Sequence, residues 1–200
     1  MPDSQPDLRL QLLPLALIAH GATDTLRDAG GGLVSRLVRR SEQGVVPVAR
    51  DEAATLEGSD PFATAAEHTF RRELSDADVR DHETSGVAFR MIAIDGSPFV
   101  TAALFWPDTT ANFPGMTDAL VCAPRLSAVL VRPVLTQADI GTARTLGSVA
   151  RLITGEAADP CTDGVFWWRE GRFHRIDFDE DGFQPVLPTE LGPVAAALPH

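Results

Sequence analysis

The chain has 200 residues, of which 44% are hydrophobic and 22% are charged. This composition is typical of a globular protein, and it predicts a single domain over residues 1–200 that can bury a core without disulfides. The formal net charge of −11 argues against a nucleic-acid partner and against an anionic membrane surface, because an acidic protein is repelled by phosphate groups.

The residue types restrict the chemistry further. All 17 basic residues are arginine and tyrosine is absent, so Schiff-base catalysis through lysine and acid–base catalysis by tyrosine are excluded. The two cysteines, Cys122 and Cys161, form neither a disulfide framework nor a CxxC site, which predicts reduced thiols and a cytoplasmic location. The apolar run Leu12–Ala19 follows no basic segment and is too short to cross a bilayer, so we predict neither secretion nor a membrane span.

The N-terminal quarter has the most ambiguous pattern. Residues 1–6 are expected to be disordered, and residues 7–50 to form a helix and strand extension of the domain. The run at residues 8–19 fits a buried strand and a buried helix equally, since periodicity does not separate them. Thr23 or Asp24 is a suitable cap for a helix that runs to Arg40, with leucines on one face.

Two local sequence features change the structure predicted for the N-terminal quarter. Gly30-Gly31-Gly32 falls in the middle of the proposed helix, where it predicts a break, because each glycine costs about 1 kcal/mol relative to alanine. The glycine run lacks the spacing of a phosphate-binding loop, so close packing against a sheet is the preferred explanation. Val45–Ala49 is predicted to be a short strand, and Pro47 confines it to a sheet edge.

Residues 86–132 carry the longest strand pattern. Asp95-Gly96 between two apolar runs predicts a hairpin in which Met91 faces Val100. Two further strands, Ala119–Ala123 and Ser127–Val131, are close enough for another antiparallel turn. The polar link at residues 107–117 is a candidate functional loop, although a surface crossing between strands is the favoured explanation.

Helix signals flank this strand region on both sides. Asp60-Pro61 predicts a helix start by combining an N-cap with proline at the first helical position, and the apolar spacing continues to residue 74. Thr136 and Asp139 form a capping box before a second helix over residues 137–154. We expect this second helix to lie across the core face of the sheet.

The segment 165–178 is predicted to be a second hairpin that turns at Glu170-Gly171. A turn with a bulge would place Phe166 opposite His174, whereas a plain two-residue turn would place Trp167 there. In both cases Trp167 and Trp168 point to opposite faces, and we expect one of them to be partly exposed. The fold class is therefore α+β: an antiparallel sheet from residues 86–132 and 165–178, covered by helices.

Three residues are candidates for catalysis by nucleophilic attack: Cys122, His174 and Asp177. Partners in such a site meet in space rather than in sequence, so spacing does not exclude them. Against this hypothesis, Cys122 sits between Val121 and Ala123 in a predicted strand, where a cysteine is commonly buried core.

Asp177, Asp179 and Asp181 match the first half of a calcium loop, but Pro188 stands where the bidentate glutamate is required. An acidic turn after a strand explains the pattern better, and we predict no cofactor.

We expect a non-enzymatic module that binds a protein partner or self-associates, with Trp167, Trp168 and Trp106 as interface residues. Weakened association without unfolding is the expectation for Trp167→Ala or Trp168→Ala. The alternatives are a small hydrolase or transferase using the Cys122, His174 and Asp177 site, or a protein that binds a divalent cation through the three aspartates.

Overall fold

Two antiparallel sheets organise the chain in a computed structural model that describes residues 7–19, 24–41, 44–55, 60–182 and 184–200. The first sheet contains β1 (Leu8–Pro14), β2 (Leu26–Gly30), β3 (Leu33–Ser41) and β4 (Gly44–Pro47). The second contains β5 (Asp78–Thr84), β6 (Val87–Ala93), β7 (Asp118–Arg125), β8 (Ala128–Pro133), β9 (Val165–Arg169), β10 (Arg172–Phe178) and β11 (Pro185–Val186). The order in the second sheet is β11-β10-β9-β7-β8-β6-β5, so the strands of residues 86–132 and 165–178 share one sheet.

Helices cover these sheets, which confirms the α+β class. The α-helices are α1 (Arg50–Ala53), α2 (Pro61–Glu73), α3 (Pro107–Thr110), α4 (Gln137–Gly141), α5 (Ala143–Glu156) and α6 (Gly192–Ala197). Short 3-10 helices occupy Leu15–Leu17, Val100–Phe105 and Thr189–Leu191. The two predicted helix starts are confirmed. The Asp60 side chain accepts a hydrogen bond from the Phe62 amide, and Thr136 forms the capping box with Asp139.

The predicted helix from residue 24 to Arg40 is wrong, because this segment is the β2–β3 hairpin. Gly30, Gly31 and Gly32 have φ of 97°, 60° and 80°, and three consecutive residues with positive φ cannot continue a right-handed helix. Residues 8–14 are a strand, which settles the open choice. The predicted edge strand near Pro47 is confirmed as β4, which pairs with β3 alone among the described strands. Residues 1–6 and the alternative cap Thr23 lie outside the described residues.

The glycine turn joins the two sheets. A Cβ atom placed on Gly30 would lie 2.4 Å from the backbone oxygen of Phe173 in β10, and one on Gly31 would lie 2.9 Å from the Arg175 amide nitrogen. A Cβ on Gly32 would meet no atom of the described residues within 4 Å. The expectation that the glycine run serves close packing against a sheet is therefore confirmed, although it does so from a strand turn.

The predicted strand after Asp95-Gly96 is also wrong. A turn does form there, with the Ser97 amide donating to the Ile94 carbonyl, but only Gly96 has a positive φ, of 69°. A type I′ turn needs positive φ at both central residues, so the chain does not fold back as a hairpin. Val100–Phe105 instead forms a buried 3-10 helix, and β6 pairs with β5 and β8.

The second hairpin follows the plain two-residue alternative. Glu170 and Gly171 have φ of 50° and 77°, as a type I′ turn requires, and His174 pairs with Trp167. On the neighbouring strand, Leu120 pairs with Trp167, so β9 is held between β7 and β10.

The seven-stranded sheet packs against other elements on both faces of its central strands. One face packs under α5, as predicted, through a cluster that includes Leu120, Leu146 and Trp167. The opposite face packs against the first sheet and the 3-10 helix Val100–Phe105, with Phe166 and Phe173 at the contact. A third cluster lies between the first sheet and α2.

The outer edge of β1 is covered by two hydroxyl groups. The Leu10 amide donates to Thr69 Oγ1 of α2 at 2.8 Å, and the Leu12 amide donates to Thr101 Oγ1 at 3.3 Å. Both threonines are fully buried. Amides that a neighbouring strand would otherwise satisfy are therefore paired with side chains, which removes an open sheet edge.

Candidate functional site

The structure does not assemble Cys122, His174 and Asp177 into one site. Cys122 in β7 pairs with Val165, His174 in β10 pairs with Trp167, and β9 separates the two strands by roughly 10 Å. Asp177 follows His174 by an odd number of residues in β10, so it points to the opposite face of the sheet. Cys122 is fully buried, and burial raises the pKa of its thiol, which therefore stays protonated at neutral pH.

His174 has a different partner. Its Nδ1 atom lies 3.2 Å from Glu190 Oε1, which comes from the 3-10 helix Thr189–Leu191. The contact links the segment around Glu190 to β10. The second cysteine, Cys161, is also buried, and burial raises its pKa to about 12. Neither thiol has the low pKa that marks a reactive cysteine.

Of the three aspartates of the calcium-like pattern, Asp179 shapes the turn that follows β10. Asp179 Oδ1 accepts a hydrogen bond from the Gln184 amide, and the Asp179 carbonyl accepts one from Gly182. Asp177 contacts the Arg175 guanidinium at 3.3 Å. Within the described residues, no group of three or more potential metal ligands comes together.

The prediction of a partly exposed tryptophan in the hairpin is wrong. Trp167 is 0% exposed and Trp168 is 8% exposed. The Trp167 Nε1 atom donates to Asp118 Oδ1 at 2.7 Å, which ties it into the sheet beneath α5. Trp106 is partly buried and packs edge-on against Phe70 and Phe105. Of the three predicted interface residues, Trp106 therefore has the most accessible side chain.

A groove on the seven-stranded sheet is the best candidate for a binding site. It has a volume of about 420 Å³ and runs between the outer strands β5 and β6 and the C-terminal half of α5. Phe89, Met91 and Ala93 form its floor, and Val149 and Ile153 of α5 form one wall. Concave, mainly apolar surfaces with a few polar groups are the usual form of binding sites in proteins.

His82 supplies a polar group beside this floor. Its ring stacks on Phe89 with the centroids 5.7 Å apart and the planes 14° from parallel. Its Nε2 atom is buried and has no hydrogen-bond partner among the described residues. A buried ring nitrogen without a hydrogen-bond partner is costly to the fold.

An ion pair closes one end of the groove. Arg125 Nε donates to Asp159 Oδ1 at 2.6 Å, and the Ser127 amide donates to Asp159 Oδ2 at 2.9 Å. Burial alone would raise the pKa of the Asp159 carboxyl, but the hydrogen bonds from Ser127 and Arg125 outweigh it and hold the pKa below its usual value of 3.8. Asp95, at the rim, has no ion-pair or hydrogen-bond partner among the described residues.

This ion pair predicts a specific response to acid. A carboxyl whose pKa is lower in the folded state stabilises the fold above its unfolded pKa, and the stabilisation is lost as the pH falls through the folded pKa. We expect Asp159→Asn to lower stability at neutral pH and to flatten the loss of stability below about pH 4. The measurement is urea unfolding across a pH series. Asp163→Asn is the control, since Asp163 is exposed and lies 3.8 Å from Arg151. If the unfolding free energies of wild type and Asp159→Asn fall equally as the pH is lowered, the Arg125–Asp159 ion pair is not the source of the acid sensitivity.

The sequence predicts the strand that forms the floor of the groove, but it does not predict the groove itself. The strand that carries Met91 is predicted, but the edge strand β5 is not, because its residues are mostly exposed and polar. Without β5, no residue is predicted to lie opposite His82. Its stacking on Phe89 follows from the β5–β6 pairing, in which the two residues are directly opposed.

The comparisons give no relative from which a function could be transferred. Neither the models of known protein families, nor the curated proteins, nor the solved structures match this chain. Among the described residues, no helix has the length and apolar character needed to cross a membrane.

Proposed function

We propose that this chain is a non-enzymatic protein-binding module that holds an amphipathic helix of a partner protein in the groove over β6. The observation that supports it is the groove beside α5, where Met91 and Ala93 of β6 are only partly buried. Phe89, Met91 and Ala93 share one face of the sheet, and the same face is covered by α5 where it continues onto β7 and β9. A sheet normally buries its apolar face against a second layer, and here part of that layer is missing.

The dimensions favour a helix as the occupant. In the strand order β7-β8-β6, the groove floor on β6 lies two strands, or about 10 Å, from the strand beneath α5. Neighbouring helices pack with their axes about 8–10 Å apart. A helix that lies over β6 would therefore contact α5 along its length, with side chains at helical spacing directed to the groove floor.

Charge favours a partner with basic residues beside its apolar face. Asp95 at the rim has no partner within the described part of the chain, and the chain as a whole carries −11. Leu152 of α5 is 64% exposed and extends the apolar wall outward. Mutual attraction between an acidic module and a basic helix accelerates encounter and discourages acidic competitors.

An alternative is that the partner pairs a strand with the open edge of β5. The residues of β5 do not favour this. Five of its seven residues carry ionisable side chains, and Asp78 and Arg80 form an ion pair along it. Charged residues on an edge strand oppose pairing with another strand. Both thiols of the chain are free, which supports a cytoplasmic setting for the interaction.

The test compares two matched substitutions, Met91→Asp and Val79→Asp. Met91 lies in the groove, whereas Val79 is an exposed apolar residue of β5 that pairs with Ile92 and faces the other side of the sheet. We expect a partner recovered with wild type and with Val79→Asp to be lost with Met91→Asp, because a buried unpaired carboxylate opposes docking. The isolated binding segment should gain helical circular dichroism when mixed with wild type.

Three results would contradict this proposal. Equal recovery with both variants would place the interface elsewhere. A binding segment that stays non-helical would exclude the helix. If light scattering shows that the wild type is a dimer and that Met91→Asp alone is a monomer, the occupant is a second copy of the chain rather than another protein.

A further inference from the structure

A second, smaller cavity lies on the other side of the molecule, between α2 and the first sheet. Its volume is about 280 Å³, close to the lower limit for small-ligand sites. Three of its lining residues are aromatic: Phe62 of α2, and Phe105 and Trp106 at the end of the buried 3-10 segment. The rings of Phe105 and Trp106 are 5.9 Å apart and inclined at 67°, so they form two adjoining walls.

The chain already places a cation against one of these rings. The Cζ atom of Arg27 lies 4.1 Å above the centroid of Phe62. The same guanidinium donates to both carboxylate oxygens of Asp60, at 2.8 and 3.0 Å. Arg27 and Asp60 are about half exposed, so their ion pair stabilises the fold little, and the arginine can leave at low cost.

The polar groups of the cavity select the type of cation. Asp60 is engaged by Arg27 and by the Phe62 amide, and the Ser35 hydroxyl donates to the Arg27 carbonyl. A primary ammonium would exchange its hydrogen bonds to water for few acceptors here. A quaternary ammonium has no N–H groups to satisfy, and its charge is stabilised by the faces of aromatic rings.

We propose that this cavity binds a quaternary ammonium group, with Phe62, Phe105 and Trp106 as its aromatic walls. Arg27 occupies the mouth when no ligand is bound, and the ligand cation replaces it beside Asp60. The net charge of −11 raises the local concentration of cations and adds to the attraction. The site is independent of the groove over β6, since the two lie in different layers of the fold.

The experiment measures choline binding by calorimetry and by the NMR shift of the Trp106 indole N–H. The control ligand is 3,3-dimethylbutan-1-ol, which has the shape of choline without its charge. We expect choline to bind roughly tenfold more tightly than the alcohol, the difference that a partly desolvated cation–π contact provides. Equal affinities would show that the cavity responds to shape alone and would overturn the proposal.

Two variants and a second ligand complete the test. Arg27→Ala removes the competing cation and should tighten choline binding, a gain that damage to the fold would not produce. Trp106→Leu removes one aromatic wall of the cavity and should weaken choline binding roughly tenfold. A peptide with trimethyllysine is compared with free choline, and the tighter of the two identifies the source of the ammonium group. If Arg27→Ala binds neither cation, the proposal is wrong.

Discussion

Gly30→Ala is expected to cost about 3 kcal/mol or more of unfolding free energy, one of the two largest effects we predict. The residue has φ of 97°, and its Cβ would lie 2.4 Å from the carbonyl oxygen of Phe173. A backbone oxygen in β10 cannot move aside as a flexible side chain can. The β2–β3 turn would therefore have to separate from the seven-stranded sheet.

Gly32→Ala is the matched control for that substitution. Gly32 has a similar backbone conformation, with φ of 80°, but an added Cβ would meet no atom within 4 Å in the part of the chain that the structure describes. It should cost only the conformational penalty, about 1–2 kcal/mol. Urea unfolding of both variants measures the difference. If the two lose equal stability, the close approach of the turn to β10 is not what holds the sheets together.

Glu73→Ala is the second substitution with a large expected effect, about 3–5 kcal/mol. Glu73 at the end of α2 accepts from Arg9 Nε at 2.8 Å and from Arg40 at 2.6 Å. The side chains of Glu73 and Arg9 are 6% and 3% exposed, so removal of the carboxylate leaves Arg9 charged and buried with one partner fewer. Its remaining carboxylate partner, Asp7, is half exposed.

Glu67→Ala on the same helix provides the comparison. Glu67 pairs with Arg71 one turn later, 3.0 Å away, and both side chains are more than half exposed. Such a pair contributes less than about 0.5 kcal/mol. Thermal and urea unfolding should therefore separate the two variants clearly. A Glu73→Ala protein as stable as Glu67→Ala would show that the ion pairs between β1, β3 and α2 contribute nothing.

The features that sequence reasoning predicted correctly depend on short-range chemistry. Asp60 and Thr136 cap their helices because the capping side chain and the amides it binds are within three residues. The Glu170-Gly171 hairpin follows from the backbone conformations that a two-residue turn demands. In each case the interaction that decides the structure lies inside a window of a few residues.

The features that the sequence did not predict depend on contacts between residues that are far apart in the chain. Val100–Phe105 is buried on all sides, so no alternation of polar and apolar residues reveals whether it is strand or helix. The spacing of Leu26, Leu33 and Leu37 fits a helix face, and only the docking of the glycine turn on β10 decides against it. The predicted exposure of a hairpin tryptophan is wrong for the same reason, because α5 and the sheet bury Trp167.

The groove could not be predicted for a further reason. It exists because β6 and β5 extend the sheet beyond the area that α5 covers, and this follows from the strand order. Strand order reflects pairings between residues far apart in the chain, such as β7 with β9, which local patterns do not contain. Whether the chain forms one domain over residues 1–200 remains a prediction.

The two hydroxyl groups on the edge of β1 make the first sheet and α2 a single cooperative unit. The amides of Leu10 and Leu12 can exchange with solvent only after Thr69 or Thr101 withdraws, and Thr69 moves with α2. Departure of α2 would uncover an unpaired strand rich in leucine, the kind of edge that recruits a strand from another molecule. The helix therefore protects the chain from aggregation, in addition to the stability that the buried Thr69 hydrogen bond provides.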